Sequence, residues 1–96
     1  MESKSYSSLD IHFVYIIESL VNGDWYKGTS SDYLKRLEQH NNGESTFTRL
    51  NKPWRLIFVQ AFETKTEAWR EERRLKRCNK QYLMWLISQP VNLLNK

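Results

Sequence analysis

The chain is poor in the residues that staple, anchor or break a fold. It has one cysteine, Cys78, so no intrachain disulfide can form. That cysteine and the two histidines, His12 and His40, stand far apart and without ligand spacing, which argues against a zinc cluster. No apolar stretch reaches the ~18 residues of a membrane span. The opening "MESKSYSSLD" is polar and has no hydrophobic signal segment, so a cytoplasmic location with no membrane partner is expected. Internal repeats and low-complexity segments are also missing, which leaves one small domain with a modest core as the expectation for 96 residues.

What the chain does have is aromatic bulk and positive charge. Four Trp, five Tyr and four Phe can fill a small core and still leave flat rings for a binding face. The net charge is +4. Residues 64–80 carry seven Lys and Arg against three Glu, an excess equal to that of the whole chain. Basic character is therefore concentrated on one segment, as a nucleic-acid surface requires.

The pattern of apolar residues predicts the order ββαβαα: an α/β domain with a small three-stranded, largely antiparallel sheet flanked by helices. "HFVYIIES" is almost continuously apolar and β-branched, and reads as a strand buried on both faces. Asn22-Gly23 signals a type I′ hairpin turn before the return strand "DWYKGTS". With that turn, Tyr15 faces Ser30, Ile17 faces Gly28, and Tyr15 and Tyr26 share a sheet face. Ser30 or Ser31 is the expected cap of the first helix, with Gly43 at its end. Leu34 and Leu37 are read as its apolar stripe, with Arg36 and His40 on the flank. "WRLIFVQAF" is expected as an internal strand. A long basic helix follows behind the capping box Thr64-x-x-Glu67. A short apolar helix then ends before Pro90. By this division residues 1–11 form a flexible lead, 12–88 the domain and 89–96 a tail.

On the basic helix Glu72 lies between Ala68 and Leu75, four residues after one and three before the other. It is thus expected to point inward, where a carboxylate needs a partner or a metal. Arg70, Arg73, Arg74, Lys76 and Arg77 are the candidate nucleic-acid contacts of the same helix.

Together these residues resemble the GIY-YIG nuclease family in its small stand-alone form, similar to the nuclease domain of the bacterial excision-repair incision subunit. Phe13-Val14-Tyr15 stands for the first motif and Tyr26-Lys27-Gly28 for the second. "TSSDYLKRLEQHNNG" is similar to the family's stretch that supplies an arginine and a histidine, here Arg36 and His40. Glu72 matches the family's metal-binding glutamate. The resemblance spans residues 12–86.

The resemblance implies a DNA endonuclease that hydrolyses phosphodiesters with one divalent ion, Mg²⁺ or Mn²⁺, held by Glu72. It also implies catalytic roles for Tyr15, Tyr26, Arg36 and His40, and a structural role for Gly28. Branched, damaged or single-stranded DNA is the expected partner, in repair or recombination. Two positions depart from the pattern: Lys27 stands where the family prefers an apolar residue, and Phe13 where it has glycine. A second reading keeps the fold and the basic helix as a nucleic-acid-binding module with little chemistry. A homodimer through Tyr82, Leu83, Trp85 and Leu86, or a partner protein that supplies specificity, is a further candidate.

Overall fold

The computed structural model describes residues 11–95, so residues 1–10 of the expected lead lie outside the described residues. Among the described residues three strands and three α-helices follow one another: β1 (His12–Ser19), β2 (Trp25–Ser30), α1 (Tyr33–Asn41), β3 (Trp54–Phe62), α2 (Lys65–Lys76) and α3 (Lys80–Ile87), with short 3-10 turns at Arg49–Asn51 and Leu93–Asn95. The sheet is antiparallel with β1 in the centre, in the order β2-β1-β3. The three-stranded α/β architecture and element order are those expected from the sequence.

The central strand explains the apolar run of β1. Val14 and Ile16 point to one face, where they pack with Phe58 of β3, Ala68 and Leu75 of α2, and Leu83 and Leu86 of α3. Tyr15 and Ile17 point to the other, where they pack with Trp54 and Val59 of β3 and with Tyr33 and Leu37 of α1. The sheet is therefore a septum. One side is a purely apolar core under two helices. The other holds the phenols under a single helix.

Three local expectations are corrected. First, the hairpin has no type I′ turn: Gly23 takes φ +81° while Asn22 has no positive φ. Residues 20–24 form a longer loop around the Ser19 hydroxyl, which accepts the N–H groups of Val21 and Asn22 and donates to the Asn51 carbonyl. The register shifts by two, so Tyr15 pairs with Gly28 and Ile17 with Tyr26. A shift of two keeps every side chain on its face, so the phenols still share one. Second, Asp32 and not Ser30 or Ser31 caps α1, accepting the Lys35 N–H at 3.1 Å. Its far end closes on Gly43 (φ +77°), with Glu44 N–H bonded to Gln39 O and Gly43 N–H to His40 O.

Third, β3 lies at the sheet edge, where its backbone groups need partners from outside the sheet. Asn92 supplies them. Its side chain accepts the Val59 N–H at 3.1 Å and donates to the Ile57 carbonyl at 3.0 Å, like one residue of a fourth strand. The segment expected as a tail is thereby tied to the domain.

Candidate functional site

Tyr15 is the hub of the phenol face. It is 1% exposed, and its hydroxyl bonds to His40 Nε2 at 2.9 Å. Its position depends on Gly28 directly across the ladder, since a Cβ there would stand 2.5 Å from the Tyr15 oxygen and 2.7 Å from Cζ. The glycine of the second motif is thus a slot for the tyrosine of the first. Burial pushes the Tyr15 phenol up to about 12. The Arg36 charge opposes this, while Tyr26 and Glu72 push the same way as burial. Arg36, Tyr26 and Glu72 thus all act electrostatically on this phenol.

His40 is not on the flank of α1. The buried stripe of that helix is Tyr33, Leu37 and His40, spaced four and then three, whereas Leu34 is 61% exposed. His40 is fully buried between the two phenols, edge-on to Tyr15 at 5.9 Å and to Tyr26 at 5.2 Å between ring centroids. Its Nδ1 bonds to the buried Thr48 hydroxyl at 2.7 Å. Burial, helped by the Arg36 charge, lowers its pKa to about 4, so the ring is neutral at pH 7. Thr48, His40 and Tyr15 form one chain of side-chain hydrogen bonds through the interior.

Sequence patterning could not find Thr48, because it sits in an irregular loop whose order comes from this chain and from the Trp54 indole, which donates to the Thr48 carbonyl. Asn41 is a second such residue. Its amide donates to the Trp54 carbonyl and accepts the Trp54 N–H, locking the end of α1 to β3.

Arg36 is half-buried beside the phenols. It donates to Gln39 Oε1 at 2.8 Å and borders an open depression of about 220 Å³ with Ser30, Ser31 and Lys35. Glu72 comes from α2, the helix on the opposite sheet face. Its side chain is 14% exposed and takes an ion pair from Lys76 at 3.1 Å. The inward direction read from its spacing holds, and the partner that burial demands is present on the next turn. Tyr26 is half-buried, and so more open to a ligand than Tyr15.

The basic face of α2 divides in two. Arg70, Arg73, Arg74, Lys76 and Arg77 are all exposed. Arg74, however, is engaged. It clamps Glu71 through two hydrogen bonds of 2.9 and 2.7 Å, donates to the Tyr82 hydroxyl and lies over that ring. It ties α2 to α3. Arg73 lies over the Trp69 ring at 4.8 Å. On α3, Leu83 and Leu86 are spent on the core, while Met84 and Trp85 are more than half exposed.

A three-stranded antiparallel sheet with two phenols packed around a buried histidine on one face is the frame in which comparison with known proteins places a class. Residues 11–84 match the GIY-YIG catalytic domain, and the chain belongs to that nuclease family. It is 34% identical over 82 residues to the UPF0213 protein of Staphylococcus saprophyticus, covering 84% of this chain and 99% of that one. The UPF0213 protein of Staphylococcus aureus matches with the same identity and coverage. Among solved structures, the UPF0213 protein of Bacillus halodurans, determined by solution NMR, superimposes with a TM-score of 0.56 at 32% identity, over 88% of this chain and 90% of that one.

Proposed function

We propose that the protein is a divalent-metal-dependent endonuclease that hydrolyses DNA phosphodiester bonds, with branched, damaged or single-stranded DNA as substrate. What supports this is the match of residues 11–84 to the GIY-YIG catalytic domain, together with a buried Tyr15 phenol that feels the charges of Arg36, Tyr26 and Glu72. A phosphodiester needs a cation for its equatorial oxygens, a group to orient water and a carboxylate for a metal. Arg36, Tyr26 and Glu72 are the proposed candidates for these three parts.

The donor set fits a hard ion. Among the described residues no three His, Cys, Asp or Glu side chains gather, so the tetrahedral nitrogen or sulfur cage of zinc is not built here. A single inward carboxylate suits Mg²⁺ or Mn²⁺, which take one or two carboxylates and fill their shells with water and phosphate oxygens. When bound, such an ion polarises the phosphate. Glu72 would hold it, with Lys76 paired to that carboxylate at 3.1 Å.

The protein groups divide the remaining work. Arg36 presents a permanent charge and a planar fork of donors to the phosphate. Tyr26, the more open phenol, contacts the attacking water. Tyr15 is neutral at all working pH values and is a hydrogen-bond anchor, not a base. His40, buried and with its pKa near 4, cannot reach substrate; it is a positioning residue that fixes Tyr15 and Tyr26 from behind. The test is cleavage of branched and single-stranded DNA with Mg²⁺, beside Glu72→Ala. Cleavage by the wild type and its loss in the variant are expected. No cleavage, or equal cleavage by both, defeats the proposal and leaves a binding module.

A further inference from the structure

The residue that departs most from the family pattern opens onto a pocket that the proposed chemistry does not use. Lys27 follows Tyr26 on edge strand β2 and pairs with Ile16, so its side chain leaves the sheet on the face opposite the phenols. There, Trp25, Lys27, Cys78 and Lys80 line a cavity of about 220 Å³. Lys80 stacks over the Trp25 ring with its ammonium 4.5 Å from the centroid. Asp24 also lines the cavity, but it is exposed at the rim and takes the Asn22 amide at 3.2 Å.

Lys27 is badly placed for stability alone. It is half-buried, and burial together with the nearby Lys76 charge lowers its pKa, with Cys78 opposing. An apolar side chain would cost less there, facing the apolar core. Two ammonium groups held at one cavity, with a third close by, favour a ligand with concentrated negative charge. Lys76 is at once a neighbour of Lys27 and the ion-pair partner of Glu72. The cavity and the phenol cluster therefore flank the same edge strand, one on each side.

We propose that Lys27 and Lys80 form a second phosphate subsite that grips another backbone phosphate of the DNA strand held at Tyr26, Arg36 and Glu72. The strand crosses the free edge of β2. The subsite holds the substrate in register and takes no part in bond breaking. This rests on the endonuclease proposal for the substrate, but its test does not depend on cleavage.

The experiment measures DNA affinity against salt in the presence of chelator, for wild type, Lys27→Met, Lys80→Met and the double variant. Each lysine that neutralises a phosphate contributes roughly 0.7 to 0.9 to the slope of log affinity against log salt. The slope is expected to fall by about that much in each single variant and by about twice that in the double. Lys27→Met is at the same time expected to be at least as resistant to urea as the wild type, which separates lost contact from lost fold. Unchanged slopes overturn the proposal, as does a wild type with no salt-dependent DNA binding. A final arm follows the Trp25 indole N–H by NMR. It should move with DNA and stay put with inorganic phosphate at equal phosphate concentration; an equal response to both would make the cavity a free-anion site and refute the DNA assignment. A protein that binds with these slopes yet never cleaves would sink the endonuclease proposal alone.

Discussion

Replacing His40 with glutamine tests the interior of the site through its pH dependence. In the folded chain the ring titrates near 4 against an ordinary 6.5, because burial and the Arg36 charge oppose its protonation. Below pH 6.5 the unfolded chain therefore takes up a proton that the native chain refuses, and stability falls as pH falls. The loss starts near 6.5, steepens to at most about 1.4 kcal/mol per pH unit, and is complete below the native pKa. At ~1.36 kcal/mol for each tenfold difference in proton affinity, the whole drop comes to about 3 kcal/mol.

His40→Gln keeps a polar side chain but cannot titrate. At neutral pH it should cost about 1–3 kcal/mol, since the Tyr15 and Thr48 hydroxyls lose well-placed ring nitrogens. On going from about pH 7.5 to about 4 the wild type should lose its advantage and the two stabilities should meet or cross. Urea unfolding across that range measures both curves, and His12 and the carboxylates, common to the two proteins, cancel in the difference. Parallel curves, or an NMR titration of the His40 ring with a midpoint near 6.5, would refute the account of a buried neutral histidine.

Other outcomes follow from single contacts. Gly28→Ala should destabilise by about 1–3 kcal/mol, because the new methyl overlaps a phenol that is packed on every side; Tyr15→Phe in the same chain should recover part of this by removing the nearest contact, as thermal melts would show. Asn92→Ala should cost about 1–3 kcal/mol by leaving the edge of β3 without its partner, and hydrogen exchange at Val59 should speed up. Arg74→Ala should lower stability and Arg77→Ala should not, because Arg74 alone of the two is clamped to Glu71 and Tyr82; urea midpoints separate them. Arg36→Lys should leave the fold intact but cut the cleavage rate ~10²-fold or more, as expected when a planar pair of donors becomes a point charge.

Strand extents were legible because β1 and β3 carry period and composition together. "HFVYIIES" and "WRLIFVQAF" begin and end where the strands do. Helix capping by Thr64 was legible for the same local reason. The position of β3 in the sheet was not, because an apolar run reports burial of both faces and says nothing of which backbone edge is paired. That edge is satisfied by Asn92, a single polar residue some 30 positions further along that no periodicity marks. The hairpin turn misled because Asn-Gly can also end a wider loop, here organised by Ser19. The candidate site survived that error for one reason: the slip was even, and the two faces of a strand alternate with period two.

The role of His40 shows the other limit of sequence. Spacing places Arg36 and His40 one turn apart on a helix, and nothing in that spacing distinguishes a flank from the buried stripe. Tyr33 decides it. Once Tyr33 and Leu37 face the sheet, His40 is the next residue on the same line, and it must be buried whatever its chemistry. A buried imidazole needs two partners, and the loop after α1 brings Thr48 to one nitrogen while β1 brings Tyr15 to the other. A chain this small spends scarce core volume on a polar line from Thr48 to Tyr15, and leaves Gly28 bare to admit it. That outlay has no return in stability that valine and phenylalanine could not match. What it secures is a fixed phenol oxygen, held by His40 and seated against Gly28, which is the anchor that the proposed site needs.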